Sequence, residues 1–284
     1  MGQVTATTAR DTFSDPFRQA RAGGALVGSG FRRYATYRQA TVAGAVTNTV
    51  FGFLRCYVLL AVVAGAGGVA AGYRPDQLAS YVWFGQGLLA VVLLWGWTDL
   101  ADRIRTGEVA TDLLRPIPPV TLYLATDLGR AGHALLFRFF PPVLVGLLAF
   151  DLYQPARPGT WPLFGLAMVL ATVIAFGCRF LVNATAYWLL DIRGVTVAWV
   201  LGSGILGGLY FPLRFLPGPV ATALYLATPF PSLLQIPLDV LVERDRPAVQ
   251  AGLVGVQAGW AGLVLAACWA VQRRAERRLV IQGG

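Results

Sequence analysis

Lysine is missing altogether: all 23 basic residues of the 284-residue chain are Arg. A phosphate loop of the Walker A kind needs a Lys against the β- and γ-phosphates, so the chain has no such route to ATP hydrolysis. Schiff-base and Lys-nucleophile chemistry are excluded on the same ground. The single His, His133, cannot build a multi-histidine metal site. Cys56, Cys178 and Cys268 lie far apart inside apolar runs, which suits neither zinc spacing nor a disulfide framework. Charge is scarce too. Only 13% of residues are charged, against about a quarter in soluble domains.

What is present is apolar: 56% of the residues are hydrophobic. A soluble domain of this length cannot hide so much apolar side chain, so the excess is expected to face lipid. The formal charge of +9 is distributed as at a membrane surface and does not call for nucleic acid. Residues 1–28 lack the basic start and apolar core of a cleavable signal and read as a flexible cytoplasmic tail.

The expected fold is an all-α integral membrane domain over 29–271 with six transmembrane helices. The expected spans run from about Ala43 to Ala70, Gln77 to Thr98, His133 to Leu152, Trp161 to Leu190, Val195 to Phe211 and Leu253 to Val271. Pro141-Pro142 is expected to kink the third. Before the first span, Phe31, Tyr34 and Tyr37 recur every three residues among Arg32, Arg33 and Arg38, which predicts an amphipathic interfacial helix over 29–42. Between spans five and six, prolines 217, 219, 229, 231 and 237 rule out an ordinary crossing, because too many carbonyls would go unpaired. Residues 212–247 are therefore expected to form short re-entrant outer helices. Six spans put fifteen Arg inside and five outside, with both termini cytoplasmic and 272–284 as a basic tail. A seventh span would violate the positive-inside bias.

In this arrangement no Asp or Glu lies deep in a span, so any energy source for transport is expected outside the chain. That argument weighs less against Na⁺-coupled carriers, which can use backbone carbonyls. Arg55 and Arg179 are costly within apolar segments, each with an Asn about two turns away, Asn48 and Asn183. They either serve a polar pathway or stand against anionic lipid headgroups, or else they simply snorkel to the inner interface; Arg138, near the start of its helix, favours snorkelling. Gly204 and Gly208 make a G-x-x-x-G pair for helix packing, within one subunit or at a dimer seam. Gly255 and Gly259 share that spacing.

The 99–131 loop carries the most information. Residues 108–114 can form about two helical turns, preceded by Gly107 and stopped by Pro116. Val109, Leu113 and Ile117 would present an apolar face edged by Glu108, Asp112 and Arg115. With no core of its own to enter, that face suggests a partner protein or the membrane surface.

Here the sequence resembles the ABC-2 class of ABC transporter permeases, a bacterial branch of transport-system permeases in particular. The residues that carry the resemblance are the run from Arg105 through Thr-Gly-Glu-Val-Ala-Thr-Asp-Leu-Leu-Arg-Pro-Ile to Pro118, and the ending from Arg277 to Gly284. The resemblance implies the transmembrane subunit of an ATP-driven transporter, mostly exporting, in a bacterial inner membrane. It implies an ABC ATPase subunit pair that holds ATP and Mg, so this chain itself binds no cofactor and is no enzyme. It further implies a second permease, identical or related. Glu108, Val109, Asp112, Leu113, Leu114 and Arg115 would then be the ATPase-coupling residues, received in a groove of the partner. A self-contained secondary carrier or channel is the alternative. A membrane enzyme would need a carboxylate pair, a His cluster or a G-x-S-x-G serine, which the sequence lacks.

Overall fold

The structure is a computed structural model and describes residues 16–36, 38–189 and 191–282. Residues 1–15 of the expected tail, Tyr37 of the expected interfacial helix, Leu190 of the fourth expected span and the last two residues of the basic tail lie outside the described residues. Among those described the chain is helical and has no strand.

Four helices are long and apolar enough to cross a membrane: Thr41–Gly65, Pro119–Ala149, Thr160–Tyr187 and Pro247–Arg277. The first is most of α2 (Arg38–Gly65), and the last most of α12 (Pro247–Gln282). The second is composite, running as α6 (Pro119–Ala134), a π segment (Leu135–Phe139) and α7 (Phe140–Ala149). Pro141 and Pro142 have no N–H, so the carbonyls of Phe137 and Arg138 lose their i+4 donors. The turn before them widens into a π segment and the helix carries on. This helix begins fourteen residues earlier than the sequence suggested, because Pro119 starts it and Asp127 and Arg130 are tolerated inside it.

The second expected span appears as α3 (Pro75–Val92), eighteen residues long. It packs against α2, the π segment, α6, α7 and α8 (Thr160–Ala184). Surrounded by protein, it needs no lipid-like surface and carries hydrogen-bonding Gln77, Ser80 and Tyr81, all buried. Gly52 faces Trp83 and Asn48 faces Gln86, so α2 and α3 are antiparallel. Gly146 also faces Trp83 while Gly87 faces Phe139, so α3 and α7 are antiparallel too. By contrast, Gly177 meets Val264 and Gln257 donates to the Ala167 carbonyl, which makes α8 and α12 parallel neighbours.

The fifth expected span is only α9 (Arg193–Leu206), fourteen residues, or about 21 Å at 1.5 Å per residue. Beyond it α10 (Gly218–Ala227) and α11 (Gln235–Leu241) are short helices separated by Pro-containing turns. The N-terminal helix α1 spans Pro16–Ala35 and lies along α6. Their backbones meet at Gly30 and Gly129, where any Cβ would collide with the Thr126 and Val27 carbonyls. The segment 29–42 is thus divided between the end of α1 and the start of α2, and part of α1 covers α6.

Candidate coupling loop and buried polar network

Two short helices, α4 (Asp99–Thr106) and α5 (Val109–Leu113), join α3 to α6. The first turn of α4 is tied to the end of α8 by Asn183. Its Oδ1 accepts from the Ala101 N–H at 3.2 Å, and its Nδ2 donates to the Trp97 carbonyl at 3.0 Å. Gly107 ends α4 in the left-handed region, φ 79°, which turns the chain sharply into α5.

Asp112 is the anchor of α5. It is 2% exposed and accepts from Arg103 Nε at 2.7 Å, Arg103 Nη2 at 3.1 Å and Tyr123 Oη at 2.8 Å. Val109, 1% exposed, turns the same way into the protein. This corrects the face drawn from the sequence. Helical spacing placed Val109 outward and Asp112 on a rim, but the carboxylate finds donors on α4 and α6 and draws that side of α5 inward. What projects is Leu114, 87% exposed, flanked by exposed Glu108, Ala110 and Arg115. Leu113 is half-buried over a groove of about 640 Å³ shared with Ile117 and, on α12, Trp269 and Arg273.

One turn beyond Tyr123, α6 carries Asp127 into a second buried centre. Asp127 pairs with Arg130 at 2.7 Å and with Arg179 of α8 at 2.9 Å. Arg130 also donates to the carbonyls of Ala90 (3.1 Å) and Val91 (2.8 Å) at the end of α3. Those carbonyls have no partner in their own helix, and the negative end of the helix favours a cation there. Two guanidiniums thus share one carboxylate, and the α3 terminus offsets the remainder. Between the two centres opens a polar cleft of about 660 Å³, lined by Arg33, Asp99, Arg103, Asp112, Tyr123 and Asp127 among others.

The other residues singled out from the sequence fall elsewhere. Arg179 neither snorkels nor faces open space, since it is buried beside Asp127 and Trp97. Asn183 serves α4, as above. Asn48 donates to the Gln86 carbonyl at 3.1 Å. Arg55 keeps Nε and Nη1 buried without a hydrogen-bond partner. Gly204 and Gly208 are not one helix face: Gly204 is in α9 against the Tyr210 ring, while Gly208 lies past its end at φ 83°. There the chain turns so that Tyr81 can donate to the Gly208 carbonyl at 2.8 Å.

Asp127, which the sequence reading left in the loop, belongs to the Pro119–Ala149 helix, in its first third. Its spacing of three from Arg130 was a signal available in the sequence. Asp239, fully buried, was missed, since of its partners only Gln235 lies on its own helix, while Tyr73 and Tyr225 come from separate elements. Glu243 was missed in the same way. It accepts from Tyr153 Oη (2.7 Å), the Arg157 N–H (2.9 Å) and Thr160 Oγ1, and so ties the end of α11 to the 150–160 loop. Burial raises its pKa and these hydrogen bonds lower it more, to about 2.

Compared with known proteins, residues 50–283 match a family model described as ABC-2 family transporter protein. No curated protein and no solved structure matches.

Proposed function

Because the chain belongs to the ABC-2 family of transporter proteins, we propose that it is the permease subunit of an ATP-driven exporter, worked through the 99–119 loop by a separate ATPase pair. Membership itself makes it a multi-pass membrane protein and a permease component of an ABC transporter. ATP and Mg belong to the partner in this reading, in keeping with a chain that has no Lys for a Walker A loop.

The observation that carries the proposal is Leu114. An exposed Leu at the tip of a five-residue helix, with Asp112 and Val109 fixing its base, is an apolar knob on a firm mount. Charges at Glu108 and Arg115 beside it can set the register of a partner groove. The experiment is co-purification of the cognate ATPase with variants, followed by ATP turnover in nanodiscs. Leu114→Asp should abolish co-purification. Leu113→Ala should weaken it less, because Leu113 is already half-covered by its own protein. Normal binding and turnover by Leu114→Asp would end the docking assignment.

The proposal includes six crossings of a bacterial inner membrane, with both ends and the 99–119 loop inside. Support comes from chain direction. Parallel α8 and α12 require the intervening chain to return across the bundle. Trp199 of α9 donates to the Leu94 carbonyl at one end of α3, and the turn after α9 reaches Tyr81, so α9 covers much of that path. In this reading α10 and α11 dip into the outer half and come back. A second permease, identical or related, would complete the pathway. Arg55 and Asn48 are proposed to line it, since Arg55 has a buried guanidinium with no hydrogen-bond partner at Nε or Nη1, an arrangement a passing anionic group would satisfy. Uptake or export by the purified chain without an ATPase would favour the self-powered carrier.

A further inference from the structure

Arg138 has an enclosed setting that the coupling role does not use. It sits in the π segment, and its guanidinium passes α2 at Gly44, where any Cβ would collide with it. Its Nε is buried without a hydrogen-bond partner. The side chain borders a pocket of about 190 Å³ formed with Tyr34, Thr41, Leu93, Arg130 and His133. No carboxylate lines this pocket. Arg130 is already matched by Asp127, whereas among the described residues Arg138 is in no ion pair.

The pocket is built at one level of the bundle. Tyr34 and Thr41 flank the junction of α1 and α2, and Leu93 follows the last residue of α3. In the proposed topology that is the inner headgroup level. Its walls continue as apolar surface. Phe137, tilted against His133 at 4.8 Å between ring centroids, and Phe140 are exposed on one helix, as are Val42 and Val46 on α2. A half-buried guanidinium with an unpartnered Nε, room for a tetrahedral anion and flanking lipid-facing side chains together describe a phospholipid seat. A basic pocket between helices on the cytoplasmic side suits such a headgroup, and guanidinium geometry suits phosphate oxygens.

We propose that this pocket binds the phosphodiester of an anionic inner-leaflet phospholipid, with Arg138 as the principal donor. The site needs the orientation proposed above but not the ATPase, so its test is independent of docking.

The experiment reconstitutes the full chain in nanodiscs of phosphatidylcholine doped with phosphatidylglycerol, releases it and counts retained lipids by native mass spectrometry. The wild type should retain phosphatidylglycerol in preference to phosphatidylcholine. Arg138→Gln should lower that retention by about fivefold to tenfold, as expected for losing one close charge contact. Arg138→Lys should fall between the two, and exposed Arg32→Gln should match the wild type. Gly44→Ala, which leaves every charge in place but crowds the guanidinium, should also reduce retention. Undiminished retention in Arg138→Gln, or an equal loss in Arg32→Gln, would overturn the site. Should Arg138→Gln not assemble, wild-type retention in both Arg138→Lys and Gly44→Ala would overturn it equally. Displacement of the lipid by millimolar inorganic phosphate would overturn the lipid assignment and leave a site for free phosphate.

Discussion

Replacing Asp127 with Asn tests the buried network most directly. The substitution keeps shape and removes the carboxylate that Arg130 and Arg179 share at 2.7 and 2.9 Å. All three side chains are at most 8% exposed, so solvent screens them little. Each pair gains about 4 kcal/mol of attraction at an effective dielectric near 20, against desolvation of similar size. Loss of the shared partner leaves two buried cations facing each other, and breaking a buried pair this way costs about 3–5 kcal/mol. Arg179→Gln alone should cost less, because Arg130 and Asp127 remain matched. The double variant Asp127→Asn with Arg179→Gln should then be less damaging than the sum of the singles, with a coupling of about 1–3 kcal/mol. The assay is reversible unfolding in mixed micelles titrated with a denaturing detergent, followed by Trp fluorescence. A cost below about 1 kcal/mol for Asp127→Asn, or strict additivity in the cycle, would refute the reasoning.

Asp112→Ala should free Arg103 and Tyr123 and speed amide exchange across 108–114, without changing exchange in α8; unchanged exchange would mean the loop is held some other way. Glu243 has a folded pKa of about 2, below its ordinary 4.5. Its contribution to stability is therefore complete above about pH 4.5 and fades as pH falls toward 2. Glu243→Gln should lower stability at neutral pH and flatten that acid-side decline, which thermal unfolding between pH 2 and 6 would register. Gly208→Ala should cost about 1–3 kcal/mol from positive φ and from crowding against Tyr81 and Gln235, measurable by the same detergent titration.

The sequence makes the helical membrane class, the family and the start of the loop at residue 99 legible, because each rests on local pattern or composition. Apolar length finds α2, α8 and α12. It overstates α9, because Gly207 and Gly208 stop that helix inside an apolar run. It places the composite helix too late, because Asp127 and Arg130 look like loop residues until Arg179 is seen beside them. The direction of α5 fails for a related reason. Helical spacing says which residues share a face, but which face turns inward depends on Arg103 and Tyr123, each on another helix. The roles of Asp239 and Glu243 escape a local window, since their partners Tyr73 and Tyr153 lie 166 and 90 residues away.

The parallel seating of α8 and α12 also has a consequence for the order of assembly. During synthesis α8 emerges with its Ala167 and Gly177 face uncovered, and the helix that covers it, α12, is made only later. Until Gln257 arrives, the carbonyls of Ala167 and Ser232 wait for the amide that joins them. Glu243 closes onto Thr160 and Tyr153 only shortly before. The bundle is thus covered late, through contacts between segments far apart in sequence, and such contacts are slow to form. A nascent chain arrested before residue 247 should expose that α8 face to lipid or chaperone, and an Ala167→Cys probe would report its shielding only after α12 is released.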